Sequence, residues 1–325
     1  MGQASAFLWA YLFDDGLARP LTEATAHAHP ACPQAWVWTH FPLSDQRARL
    51  HLEDFAEMPA AARDLILRTE QRVQIQFSGA WAYGVLPDFE RDLDGRANGA
   101  GRLLFALSER RLVTARRQAL RVVDEVRREA ERGERLQAPA DAVIRLIERY
   151  VDVSEMRLHA AAEALDRVED HMLGGHGEVE GLKLGPTRRS LSRDHREYLG
   201  LRSALHRACA PRAAHGVDLL SSHLPRLAQE AEDLDREAAS LQERARLVHE
   251  EIDTQITSAT NRSMKALTVM SSLLIPPTVI VGAFGMNLEG MPFAASHAGF
   301  AAACGLCLAV VGGAYWLLRR MRVMS

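Results

Sequence analysis

Ten residues fall into one file when the segment 250–282 is read in steps of three and four. They are Glu250, Asp253, Thr257, Thr260, Met264, Leu267, Ser271, Ile275, Thr278 and Gly282. Such spacing places them on one face of an α-helix. The upper six alternate polar and apolar positions, and polar groups within an apolar span face protein or water rather than lipid. The lower acids, Asp253 and Glu250, are oxygen donors that would concentrate cations at the inner end of a pore, with Thr257 just above them. Single positions also have plainer readings. Ser271 and Thr278 would serve as helix-packing hydroxyls, and each acid would lie on a solvated helix face.

Other chemistry is sparse. The chain has no Walker loop, no GxGxxG and no GxSxG, so an enzyme is the remote reading and no cofactor is expected. The thirteen histidines are scattered. His27 and His29, or His171 and His176, have metal-ligand spacing but no compact four-ligand set around them. Four cysteines are too few for a disulfide framework. Cys304 and Cys307 have CxxC spacing inside an apolar run and read as small packing residues.

The elements that must carry the file are defined by charge. The 325 residues average 47% hydrophobic and 25% charged, with a net charge of −3, which describes an ordinary soluble protein with no nucleic-acid partner. Those averages conceal residues 266–318, where Glu289 is the only charged side chain. Residues 266–286 and 299–318 carry no charge, and each is long enough to cross a hydrocarbon core of about 30 Å. Pro276-Pro277 is tolerated in such a helix where neighbouring groups re-satisfy the backbone. Arg262 and Lys265 precede the first span, and Arg319, Arg320 and Arg322 follow the second. The loop 287–298 has no Lys or Arg, so both ends are expected in the cytoplasm and the loop outside. Tyr315 and Trp316 suit the inner interface. Residues 1–20 lack a secretory pattern, which fits a cytoplasmic N-terminus at an inner membrane.

Below the first span, residues 226–265 form a stalk without Gly or Pro. Leu227, Ala231, Leu234, Ala238, Leu241, Ala245, Val248, Ile252 and Ala259 recur in heptad-like steps, interrupted by Gln255. This predicts a long helix with a self-associating seam, stabilised by other subunits or by its own domain. Strands are expected at 5–13, 35–41 and 72–86, with a hairpin at 102–115, a helical stretch at 45–69 and a Gly-rich surface loop at 93–101. Helices follow at 118–133, 138–173 and about 187–209, the last two forming a hairpin. Leu146, Tyr150, Val153, Leu158 and Leu165 are its packing face. The expected organisation is a 1–116 α/β domain, a 117–225 helical region and a 226–265 stalk. A 266–286 pore-lining span, a 287–298 external loop, a 299–318 second span and a 319–325 basic tail complete it. Two helices alone enclose no pathway, so the hairpin is either a pore subunit or a membrane anchor for an interaction protein.

Phe284-Gly285-Met286-Asn287 closes the first span, 38 residues from the C-terminus. At that place it resembles the signature of the CorA metal-ion transporter family. The resemblance extends through Thr260-Asn261-Arg262, Met264-Lys265, Leu267-Thr268, Pro277-Thr278 and Met291-Pro292. It implies a funnel-shaped homopentamer in the bilayer, with five first-span helices around an axial pore for divalent cations. Gly285, Met286 and Asn287 would form the pore mouth, with Asn287 holding a hydrated ion, and Glu289 would attract cations from outside. Five amide oxygens suit an ion that keeps its water shell. Thr278 would form a polar ring, while Ile275 and Leu267 would be constrictions that gate by dewetting. The magnesium members continue Met-Pro-Glu-Leu after the motif, and that Glu is absent here. Trp9-Ala-Tyr-Leu-Phe, Ala35-Trp-Val-Trp-Thr-His and Arg111-Leu-Val-Thr-Ala-Arg-Arg-Gln are similar to the zinc-transporting ZntB branch, which implies Zn²⁺ uptake with protons. Mg²⁺, Co²⁺ and Ni²⁺ are the alternatives.

Overall fold

The computed structural model describes residues 6–22, 32, 34–69, 72–91, 97–173, 177–210, 218–285 and 297–320. They divide into two compact units, Met1–Asp170 with Leu182–Leu247, and His171–Gly181 with Val248–Ser325.

The first unit is built on a seven-stranded sheet. Its strands are β1 (Trp9–Asp14), β2 (Leu17–Pro20), β3 (Trp36–Pro42), β4 (Gln74–Ser78), β5 (Trp81–Arg91), β6 (Ala97–Leu107) and β7 (Arg111–Arg116). They lie in the order β2-β1-β3-β7-β6-β5-β4. The β3–β7 pair is parallel, and the other neighbours are antiparallel. Every residue from Trp81 to Phe89 is buried, so β5 is covered on both faces. One face packs Tyr83, Val85 and Val113 against α1 (Gln46–Glu53) and α2 (Ala60–Leu67) through Leu52, Ala62 and Ile66.

The other face carries an aromatic ladder. The β1–β3 register opposes Trp9 to His40, Tyr11 to Trp38 and Phe13 to Trp36. The Phe13 and Trp36 rings stack at 4.0 Å, and Trp9 stacks on His40 at 4.6 Å. Burial holds the His40 imidazole well below its usual pKa, helped by Arg116 and Arg127. Its Nδ1 lies 2.8 Å from Thr114 Oγ1.

Helix α3 (Arg121–Glu131) covers this face and is capped from a strand. Its N-cap, Leu120, has no capping side chain. Asp88 of β5 supplies the acceptor instead, receiving the N–H groups of Val122 at 2.8 Å and Val123 at 3.1 Å, and of Phe89 at 2.6 Å. Asp88 is 1% exposed, and burial pushes its carboxyl up to about 7 against those three donors.

Three long helices complete the first unit and run on into the second: α4 (Pro139–Leu173), α5 (Gly177–Ala208) and α6 (Asp218–Phe284). The expected packing face of α4 is buried at all five positions. Arg157 of α4 forks onto Asp194 of α5, donating at 2.8 and 3.1 Å. Arg202 of α5 donates to Asp235 of α6 at 2.6 Å, and Arg244 of α6 to Asp166 of α4 at 2.6 Å. The second unit holds the tips of α4 and α5, the upper part of α6 and helix α7 (His297–Arg320).

Several expectations change. The stretch 72–86 is two strands turning at Gly79-Ala80, because Gly79 adopts φ +59°. Residues 97–101 are strand, not loop; Gly99 pairs with Glu90 and Gly101 with Asp88. The 45–69 helix is two, broken before Pro59. Helix α5 starts at Gly177 and carries Pro186 in its interior, and α6 starts at Asp218, ahead of Pro225. Strand β2 was unforeseen; Asp15 and Gly16, at φ +50° and +76°, make the tight turn that folds it onto β1. The seam from Leu227 to Ile252 is buried within the single chain, whereas Ala259 is exposed. Burial stops where polar Gln255 interrupts the series.

Gly84 of β5 gives a direct test of the sheet. A Cβ there would collide with the backbone carbonyl oxygen of Gln74 on β4, so the backbone itself would have to shift. Gly84→Ala is expected to cost about 3 kcal/mol. Four of the five tryptophans lie in β1, β3 and β5, so intrinsic fluorescence during denaturation reports this sheet. An unchanged midpoint would refute the close approach.

Candidate functional site

Asp253 and Glu250 begin the file on α6 and flank Ile252, the last buried seam residue. From Asp253 to Gly285 no residue is buried. A helix this apolar, left uncovered, needs a non-aqueous surrounding or a partner. All ten file positions fall within an arc of about 100° at 100° per residue. Met264, Leu267 and Ile275 are 61%, 66% and 60% exposed. Thr278 and Gly282 are also exposed, and Ser271 is half-buried.

The hydroxyls on this face have a defined polarity. Thr278 Oγ1 donates to the Leu274 carbonyl at 2.7 Å, Thr257 Oγ1 to Asp253 at 2.8 Å and Thr260 Oγ1 to Ile256 at 2.9 Å. Each proton is thus directed into the helix, and the oxygen lone pairs are what the face presents. Lone pairs suit a cation or the hydrogens of its water shell. Thr268, off the file, makes the same bond to Met264, so sequence position selects which hydroxyls matter. Pro276 and Pro277 supply no N–H for the carbonyls of Ser272 and Leu273 four residues earlier.

At the lower end, His249 Nε2 lies 3.6 Å from Asp253 Oδ2. Sequence reading missed this partner, although its i,i+4 spacing was visible. Glu250 accepts the Thr254 hydroxyl at its carbonyl. At the upper end, Gly285 N–H donates to Val281 at 2.8 Å, completing the last turn. Met286, Asn287 and Glu289 lie outside the described residues, as do His27, His29 and His176.

Helix α7 carries Cys304, exposed, and Cys307, half-buried. Near its end, the Arg320 guanidinium sits 5.4 Å from the Trp316 ring centre. Among the described residues no group of three or more His, Cys, Asp or Glu is placed to hold a metal ion. Among the described residues two helices, α6 and α7, have windows long and apolar enough to cross a membrane.

The model of the family described as "CorA-like Mg2+ transporter protein" matches residues 33–320. The chain belongs to the CorA family. As a CorA-family protein it is a divalent cation transporter, and its two candidate C-terminal spans fit a membrane protein. It is similar to the divalent cation transporter CmaX of Pseudomonas aeruginosa, 24% identical over 89% of this chain and 88% of that one. The zinc transport protein ZntB of Yersinia enterocolitica is 21% identical over 98% of this chain and 97% of its own. The solved structure of full-length CmaX shares the CorA fold of this chain at a TM-score of 0.83, with 21% identity over 99% of both chains.

Proposed function

We propose that this CorA-family protein carries Zn²⁺ into the cytoplasm as a homopentamer in the inner membrane, with both termini cytoplasmic. The observation that carries the reading is the file on α6. Ten positions share one helix face, hydroxyl lone pairs point outward from it, and acids lie at its lower end. Five copies around an axis would turn each position into a ring. Thr278 then offers an oxygen ring, Ile275 and Leu267 form apolar constrictions, and Gly282 leaves width above them. Gly285, Met286 and Asn287 would form the outer mouth, where Asn287 holds the hydrated ion and Glu289 draws cations toward it. Asp253 and Glu250 would lower the potential at the inner exit.

Zinc is favoured by the likeness to ZntB proteins, which extends over nearly the whole chain. A second reading, Mg²⁺ passage, is favoured by the description of the matched family. In either reading the ion is cargo.

Uptake into proteoliposomes containing verified oligomers tests both. Zn²⁺ is expected to enter, faster with an inward proton gradient, and ahead of Mg²⁺, Co²⁺ and Ni²⁺. Entry of none of the four, with or without the gradient, would end the transport reading. Preferential Mg²⁺ entry would replace zinc with magnesium.

A further inference from the structure

Between α5 and α6, within the first unit, lies an open cleft of about 460 Å³, large enough for a small-molecule ligand. Its polar wall is cationic. Arg188 and Arg189 of α5 and Arg246 of α6 line it, against a single carboxylate, Glu243. That carboxylate is already engaged, 2.6 Å from Arg246. Among the described residues neither Arg188 nor Arg189 forms an ion pair. These two adjacent cations repel one another unless an anion lies between them.

The back of the cleft is fixed rather than loose. His195 Nδ1 lies 2.8 Å from Gln242 Oε1, and its Nε2 lies 3.3 Å from Asp235 Oδ1. Asp235 also receives Arg202, so α5 and α6 are locked together at this level. Ser192 adds a hydroxyl, and Ala239 exposes its methyl group.

We propose that this cleft binds a phosphorylated small molecule of the nucleotide class. Guanidinium groups recognise phosphate oxygens in a two-pronged geometry, and the adjacent Arg188 and Arg189 suit the oxygens of a di- or triphosphate. The volume leaves room for a nucleoside, which bare phosphate would not fill. The ligand would bridge α5 to α6, the helix that also carries the file. The assignment does not depend on which ion the protein transports.

The test is equilibrium binding of ATP, ADP, inorganic tripolyphosphate and inorganic phosphate to the full chain in detergent without divalent cations. ATP is expected to saturate and to bind more tightly than tripolyphosphate. R188Q/R189Q is expected to weaken it at least about tenfold. Arg196→Gln, on α5 outside the cleft, is expected to leave it unchanged. In the unmutated protein, ATP is expected to shield Arg188 and Arg189 from phenylglyoxal, read by mass spectrometry. That readout stands even if the double variant misfolds. No saturable binding up to about 1 mM, or no shielding, overturns the site. Equal affinity for tripolyphosphate and ATP overturns the nucleotide assignment.

Discussion

Asn287→Ala is expected to reduce Zn²⁺ flux at least about tenfold, or to change ion preference, in proteoliposomes. In the proposed pentamer one substitution removes five amide oxygens from a single ring. A net hydrogen bond contributes about 1 kcal/mol, so the combined loss reaches about 5 kcal/mol if all five engage the hydrated ion. The fold is expected to survive, because Asn287 follows the end of α6 and lies far along the chain from the buried seam at Leu227–Ile252. Uptake kinetics, with light scattering to confirm the oligomer, separate the two effects. Flux and preference matching the parent protein would remove Asn287 from the filter.

The second large effect is expected at Asp88. Asp88→Ala leaves the N–H groups of Phe89, Val122 and Val123 without their acceptor and uncaps α3. A loss of about 3 kcal/mol follows, from desolvated donors and a lost cap. The loss depends on pH in an unusual direction. Burial raises the Asp88 carboxyl from 3.8 to about 7. A raised acid contributes fully below its unfolded value, and that contribution fades as pH climbs through the folded value. The penalty of Asp88→Ala is therefore expected to be greatest near pH 4 and to shrink as pH rises toward 7. Denaturant midpoints at several pH values, read by tryptophan fluorescence, measure this. A penalty constant across the range would show that the carboxyl does not titrate there.

Much of this was legible in the sequence, for physical reasons that differ by element. The two spans could be read because hydrocarbon excludes charge, and residues 266–318 hold only Glu289. The α4 face could be read because Leu146, Tyr150, Val153, Leu158 and Leu165 repeat at helical spacing and all are buried. Strand β6 could not, because Gly99 and Gly101 resemble a loop until the opposing strand is known. The seam was legible as a pattern but not in its partner. Heptad spacing states that a helix is covered, not by which chain, and here Arg202 and Arg244 tie it to α4 and α5. Asp88 was missed altogether, since its role depends on a helix more than thirty residues away. The direction of the Thr278 proton was likewise invisible before the backbone was placed.

Helix α6 is unbroken from Asp218 to Phe284, and this constrains insertions and deletions. Consecutive residues differ in azimuth by about 100°, so adding or removing one between Thr260 and Met264 would rotate the upper file away from the lower. The acids would then point to one side and Thr278 to another, although every side chain remained. Lengthening by about eleven residues, close to three whole turns, would restore the phase. For such a pathway the length of the rod is free only in whole turns, a restriction that acts on residue number rather than on residue identity.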